Sequence, residues 1–92
     1  MSEIRVYYSS VSGCLKTKKQ QQHILMVLDG RKIVHTDVDV TQDPENKDKM
    51  RRVACNDAAL PPQICNGDQY CGDYEGFLNA VEEEKLTEFL KL

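Results

Sequence analysis

The segment 61–77 constrains the fold of this chain more than any other part of its 92 residues. It begins with Pro61 and Pro62, which fix φ and remove two backbone donors, as suits the first residues of a strand at an exposed rim. X–Pro bonds have only a small trans preference, so the peptide bond before either proline has cis as an allowed alternative. The segment therefore predicts a rigid entry into a strand at residues 63–65.

A hairpin and a helix start follow directly. Asn66 and Gly67 form the dipeptide that most strongly favours a two-residue type I′ turn, in which both central residues have positive φ. Residues 68–70 are then expected to return as an antiparallel strand. Gly72 permits a tight approach by another part of the chain, and Asp73 is a good N-cap. The apolar face of the predicted helix consists of Phe77, Leu78 and Val81.

Strands and helices alternate in the rest of the chain. Residues 4–8 predict a strand, 14–28 a helix that ends at Asp29 and Gly30, and 32–40 a second strand. Asp43 followed by Pro44 starts a second helix. The apolar faces consist of Ile4, Val6 and Tyr8 in the first strand, Thr17, Ile24, Val27 and Leu28 in the first helix, Met50, Val53 and Ala54 in the second, and Leu86, Phe89 and Leu90 near the C-terminus.

This order, β-α-β-α-β-β-α with an added C-terminal helix, defines the expected fold class. The two βα units require parallel strands with crossovers, and the hairpin adds an antiparallel pair. We therefore predict an α/β protein with a mixed four-stranded sheet covered by helices. The whole chain resembles the thioredoxin-like fold of the glutaredoxin type, which the motifs described below specify further. At this length, residues 1–92 are expected to form a single domain.

The composition excludes several classes of function. The content of 40% apolar and 29% charged residues is typical of a soluble globular domain. No apolar run reaches the length of a membrane span, and the N-terminus has no secretory signal, so no membrane partner is expected. Four unevenly spaced cysteines then indicate thiols in a reducing compartment, and we expect a cytoplasmic and also nuclear location. The basic cluster of Lys16, Lys18 and Lys19 is too small to predict nucleic acid binding.

Several short motifs together resemble a known family. The most specific is Asn-Gly-Asp-Gln-Tyr-Cys-Gly-Asp-Tyr-Glu, and the others are Arg-Val-Tyr at residues 5–7, Leu-Asp-Gly at 28–30, Gln-Asp at 42–43, Pro-Pro-Gln-Ile at 61–64 and Glu-Phe-Leu-Lys-Leu at 88–92. On these motifs the chain is identified as a member of the SH3-domain-binding glutamic-acid-rich-like family, a glutaredoxin-related thioredoxin-fold family. It is most similar to the short type that lacks a tail.

The resemblance implies a glutathione groove without the usual dithiol. Glutaredoxins carry Cys-Pro-Tyr-Cys between the first strand and the first helix, where the helix N-terminus lowers the pKa of the first cysteine. The corresponding residues here are 12–15. Ser12 takes the place of the nucleophile and Leu15 that of the resolving cysteine, with Cys14 between them. A serine hydroxyl has far too high a pKa to replace a thiolate without a base, and neither His23 nor His35 is placed to be one.

The remaining groove residues are also implied by the resemblance. An ungapped count from the Asn-Gly pair puts the cis-proline at Pro61, with Pro62 as the alternative. The groove for glutathione or a partner is expected to consist of Ser12, Gly13, Cys14, Pro61, Pro62, Cys71, Gly72 and Asp73.

We therefore expect a non-catalytic protein that acts by binding. No catalytic residue and no resident cofactor are assigned, although glutathione is a candidate ligand. The resemblance implies modulation of glutaredoxin activity and redox regulation, with glutaredoxin clients or signalling proteins as partners. A protein-interaction adaptor is an alternative. Direct SH3 binding is not expected, since the prolines form no PxxP pattern.

A glutathione-dependent monothiol protein is the other alternative, through Cys14 or Cys71. In some monothiol glutaredoxins, an iron–sulfur cluster is shared by two chains with glutathione, and here Cys71 would be the first candidate ligand. Cys55 and Cys65 are expected only to pack. A metal site within one chain is not predicted, because neither Cys-x-x-Cys nor His-x-x-x-His spacing occurs.

Overall fold

The structure is a computed structural model that describes residues 3–11 and 13–92. Within these residues, strands and helices follow one another in the predicted order. They are β1 (Ile4–Tyr8), α1 (Leu15–Gly30), β2 (His35–Asp39), α2 (Pro44–Val53), β3 (Gln63–Asn66), β4 (Gln69–Asp73), α3 (Tyr74–Glu82) and α4 (Leu86–Phe89).

The strands form one mixed sheet in the order β2-β1-β3-β4. β1 runs parallel to β2 and antiparallel to β3, and β3 is antiparallel to β4. The parallel pair needs the long crossover through α1, whereas a two-residue loop joins β3 to β4. The predicted mixed four-stranded sheet of the thioredoxin-like fold is thus confirmed, and its carboxyl-terminal edge at β1 and β2 lies beside the start of α1.

Apolar side chains pack on both faces of the central strand β1. Ile4 and Val6 belong to the larger core cluster, with residues of α1, α3 and α4, whereas Tyr7 packs with Met50 of α2 in a smaller cluster. The simple alternation expected for β1 was incomplete because helices cover both faces of this strand. Tyr7 is 1% exposed, and Tyr8 is only half-buried.

The helix termini agree closely with the sequence signals. Oδ1 of Asp43 accepts a hydrogen bond from the N–H of Glu45 at 2.9 Å, and Oδ1 of Asp73 accepts one from the N–H of Gly76 at 3.1 Å, so both predicted N-caps are confirmed. α1 extends beyond its predicted end, because Gly30 is still helical. The chain leaves α1 through Lys32, whose φ is +57°.

The β3–β4 turn lies one residue further along than predicted. Asn66 pairs with Gln69, so Gly67 and Asp68 are the central residues. Positive φ occurs at Gly67 (+59°) and not at Asp68, so this is not a type I′ turn. The Asn66 side chain instead connects two distant segments. Its Oδ1 accepts a hydrogen bond from the N–H of Glu3 at 2.9 Å, and its Nδ2 donates to the carbonyls of Leu90 and Lys91 at 3.0 and 3.2 Å.

The tight approach expected at Gly72 is made by the C-terminal helix α4. Gly72 has a φ of +152°, and a Cβ added there would lie 2.8 Å from Cε1 of Phe89. Glycine is therefore required both by backbone conformation and by space. The space that a side chain at position 72 would need is therefore occupied by the ring of Phe89.

Candidate binding groove

A groove of about 320 Å³ opens where the α2–β3 connection meets the start of α3. One wall consists of Asn56 and residues 58–63, and the other consists of residues 73–75. Gln20 of α1 completes the lining. Three of the residues predicted for the groove therefore meet here: Pro61, Pro62 and Asp73.

The cis peptide bond of the groove wall lies between Pro61 and Pro62, so Pro62 is the cis-proline. The count that placed it at Pro61 is wrong by one residue. That count ran without gaps from Asn66 and Gly67, and the observed turn also lies one residue further along the chain than predicted. The alternative that named Pro62 is correct.

The proline wall is fixed by a side chain that follows it. The amide of Gln63, which is 8% exposed, donates from Nε2 to the carbonyl of Leu60 at 2.8 Å. Its Oε1 accepts from the hydroxyl of Tyr70 on β4 at 2.6 Å. Gln63 thus bridges across both prolines, whose backbone lacks donors, and attaches them to the neighbouring strand.

The opposite wall is attached to α1 through an aromatic contact. Nδ1 of His23 lies 2.8 Å from the hydroxyl of Tyr74, and the His23 ring makes edge contacts with Tyr74 and Phe77. Tyr74 and Phe77 in turn stack with their ring centroids 6.4 Å apart. The start of α3, which carries Asp73 into the groove, is therefore held against α1 by these rings.

The loop after β1 is held by two polar side chains. Gln21 of α1, 6% exposed, accepts from the N–H of Ser9 at 2.9 Å and donates to the carbonyl of Ser9 at 3.1 Å. Oδ1 of Asp39 accepts from the N–H of Ser10 at 3.4 Å, and from the N–H and Oγ1 of Thr41 at 2.9 and 2.6 Å. Burial raises the pKa of Asp39, but hydrogen bonds from Ser10 and Thr41 outweigh it and lower the pKa to about 2.

Cys14 lies at the N-cap of α1, with its side chain exposed. Hydrogen bonding from the backbone of Thr17, then from its side chain and from the backbone of Lys16, lowers the pKa of this thiol. This is the usual effect of a helix N-terminus on a thiolate. Neither Cys14 nor Gly13 is among the groove-lining residues, and the predicted position Ser12 lies outside the described residues.

Cys71 occupies a different environment from the one expected for it. It is the extra residue of a β-bulge, since Gly72 pairs with Ile64 and Tyr70 with Cys65. The half-buried side chain packs against the larger core cluster. Burial first, and the neighbouring Cys65 second, raise the pKa of Cys71 to about 11, so the thiol is protonated near neutral pH. Cys71 and Gly72 do not line the groove.

Sequence reasoning did not assign site roles to Gln20, Gln21, Asp39, Gln63 and Tyr74. A signal existed for Gln21 alone, because it lies on the same helical face as Ile24 and Leu28 and is buried with them. Asp39 and Tyr74 bond to partners distant in sequence, Ser10 and His23. Gln63 bonds to Leu60 and Tyr70, three and seven residues away, and Gln20 lines the groove. In the part of the chain that the structure describes, no group of three or more His, Cys, Asp and Glu side chains could hold a metal ion. No helix among the same residues is long and apolar enough to cross a membrane.

The mixed sheet, the cis-proline wall and the α1 start beside the sheet edge define a glutaredoxin-type thioredoxin fold. Solved structures agree: a buckwheat glutaredoxin–glutathione complex is similar with a TM-score of 0.71 at 11% identity, covering 98% of this chain and 77% of that one. E. coli glutaredoxin is similar with a TM-score of 0.61 at 20% identity, covering 89% and 95%. At these identities the likeness shows the fold alone.

The chain belongs to the family described as SH3-binding, glutamic acid-rich protein, whose sequence profile matches residues 2–92. An SH3 domain-binding glutamic acid-rich protein homolog of Drosophila melanogaster is 38% identical over 97% of the chain. The chain spans 64% of that relative's length. The actin interacting protein Aip5 of C. albicans has a TM-score of 0.79 at 25% identity, covering 97% of this chain and 88% of that one.

Proposed function

We propose that this protein is a non-catalytic member of the thioredoxin fold that binds proteins at the groove and modulates glutaredoxin activity. The observation that carries the proposal is the composition of the groove. None of its lining residues, all of them described, is a cysteine. A thioredoxin-fold surface that retains its cis-proline wall without a thiol can hold an extended segment but has no nucleophile with which to reduce it.

The surroundings of the other candidate groups support the same proposal. Dithiol exchange needs a second thiol three residues after the first, and Thr17 stands at that spacing from Cys14. His23 is bonded to Tyr74, and His35 is bonded to Asp29 and Asp37 at 2.8 and 2.7 Å. The groove lining holds no serine or threonine hydroxyl that either imidazole could activate. Ordinary glutaredoxin turnover is therefore not expected.

Protein partners are favoured by the names of similar proteins. The Drosophila relative is named as SH3 domain-binding, and Aip5 as actin-interacting. Because the prolines of this chain form no PxxP pattern, we propose a partner bound through the groove and not direct recognition by an SH3 domain. The proposed location is the cytoplasm and the nucleus, where glutaredoxins and their clients are available.

Two measurements test the proposal. In a glutathione-linked disulfide reduction assay, the protein alone should show no turnover, whereas a molar excess should change the rate of an active glutaredoxin. Leu60→Ala, at a 68% exposed groove residue, should weaken that change, and Val34→Ala, 88% exposed outside the groove lining, should not. Turnover by the protein alone, or equal effects of the two variants, would contradict the proposal.

A monothiol role for Cys14 is the second candidate, favoured by its exposure and lowered pKa. Its thiolate would attack glutathione disulfide, forming a mixed disulfide with one glutathione and releasing the other as a thiolate. The same thiolate is a better iron–sulfur ligand than the protonated Cys71. Turnover or a visible cluster absorption that is lost in Cys14→Ser, and retained in the control Cys55→Ser, would favour this candidate.

A further inference from the structure

The charged side chains that line the groove have one sign. Its lining includes the carboxylates of Asp73 and Glu75 and no Lys, Arg or His. Among the described residues, neither of these carboxylates forms an ion pair. Both are exposed side chains at the start of α3, so they are available to a ligand.

The proline wall of the groove lacks backbone donors. Pro61 and Pro62 have no N–H, and the Leu60 carbonyl is already used by Gln63. The hydroxyl of Tyr74 is occupied by His23. Asp73 uses Oδ1 as the N-cap, which leaves its second oxygen open. The strongest open groups are therefore carboxylate oxygens, which need donors.

The helix dipole does not reverse this preference. The N-terminus of α3 borders the groove and favours an anion with about half an elementary charge. Two full carboxylates outweigh it, and the net charge of this wall stays negative by about 1.5 elementary charges. Two cations lie outside the lining: Lys16, one helical turn before Gln20, and Arg51 of α2, which donates from Nε to the carbonyl of Ala59 at 3.3 Å.

We propose that the groove binds an extended segment of a partner protein through a lysine or arginine side chain that pairs with Asp73 and Glu75. The inference rests on the proposed function and specifies the class of partner. A volume of about 320 Å³ suits one long side chain and its adjoining backbone. Glutathione, which carries two carboxylates and one ammonium group, is disfavoured by the same charges.

The test uses three ten-residue probe peptides of Gly, Ser and Val whose two central variable positions are arginine, glutamate or glutamine. Each peptide, and reduced glutathione, is titrated into the 92-residue protein while amide chemical shifts are recorded at low salt. The arginine peptide should shift the amides of Gln20, Gln63 and Glu75 and should bind most tightly. Its affinity should fall as the salt concentration rises from about 0.05 to 0.3 M.

A matched pair of double variants tests the assignment of the carboxylates. Asp73→Asn with Glu75→Gln keeps an N-cap, because asparagine caps as well as aspartate, and should weaken arginine-peptide binding about two- to fivefold per carboxylate. Glu82→Gln with Glu83→Gln makes the same change of charge at the far end of α3 and should leave the affinity unchanged.

The outcomes separate this inference from the proposed function. Equal binding of the three peptides, tighter binding of glutathione, or equal weakening by the two double variants would overturn the charge preference and leave groove binding in place. If no peptide shifts the groove amides, both the inference and the proposed groove function fail.

Discussion

The substitution Asp39→Asn tests how the loop beside α1 is held in place. Asp39 is 6% exposed and joins the ends of β1 and β2, since its Oδ1 accepts hydrogen bonds from Ser10 and Thr41. Asparagine keeps the shape and one acceptor oxygen but removes the charge. It also places an NH₂ group where Oδ2, a buried atom that has no hydrogen-bond partner among the described residues, now lies.

The expected magnitude follows from the pKa of Asp39. Its decrease from 3.8 to about 2 corresponds to about 2 kcal/mol, at 1.36 kcal/mol per pKa unit. Because the folded-state pKa is depressed, this stability is fully present above pH 3.8 and is lost as the pH falls through 2. About half remains at pH 3. The misplaced NH₂ group adds a cost that does not depend on pH.

Urea unfolding of the wild type and Asp39→Asn at pH 7, 5 and 3 measures both contributions. We expect a loss of about 2 kcal/mol or more at pH 7, smaller by about 1 kcal/mol at pH 3. Asp57→Asn, at an exposed loop residue, should cost less than about 0.5 kcal/mol at each pH. A loss that is equal at pH 7 and pH 3 would refute the role assigned to the charge.

Three further predictions concern other parts of the fold. Burial lowers the pKa of His35, but its bonds to two aspartates outweigh this effect and raise the pKa. The free energy of unfolding lost in His35→Gln should therefore be largest below pH 6.5 and shrink as the pH rises. Urea unfolding from pH 5.5 to 9 measures this dependence. Gly72→Ala should cost about 2–3 kcal/mol by thermal unfolding, because its Cβ meets Phe89 at a φ of +152°; Gly13→Ala, with open space around it, is the control. At pH 7, iodoacetamide should alkylate Cys14 at least about tenfold faster than Cys71, measured by mass spectrometry, and equal rates would contradict the opposite pKa shifts of the two thiols.

The sequence predicted the order of the elements and both N-caps because these signals are local. A capping carboxylate such as Asp73 acts on residues two or three positions away, so its neighbours are enough to identify it. The turn and the cis-proline were each misplaced by one residue. The Asn-Gly pair allows two adjacent positions for the turn, and the Pro-Pro pair allows two adjacent positions for the cis bond. In the observed turn, the Asn66 side chain bonds to Glu3 near the start of the sequence and to Leu90 near its end.

The prediction for Cys71 failed to anticipate its surroundings for a related reason. Side-chain direction alternates along a strand, so one inserted residue changes what faces each side. The bulge at Cys71 is visible only in the pairing of β4 with β3. It leaves Cys71 against the core and Gly72 against Phe89, whereas Asp73 still reaches the groove. Whether Cys71 has a role in binding stays a prediction.

The sequence by itself determined that no Cys-x-x-Cys dithiol exists, that the fold is α/β with a hairpin after the second helix, and that rigid prolines precede the third strand. These are properties of residue identity and short-range spacing. Only the tertiary structure decided which polar groups meet: Gln63 with Tyr70 across a hairpin, Ser10 with Asp39 across 29 residues, and His23 with Tyr74 across 51. Such contacts depend on how strands and helices are packed, and packing brings together two acidic residues and a donor-poor proline wall that are separate in the sequence.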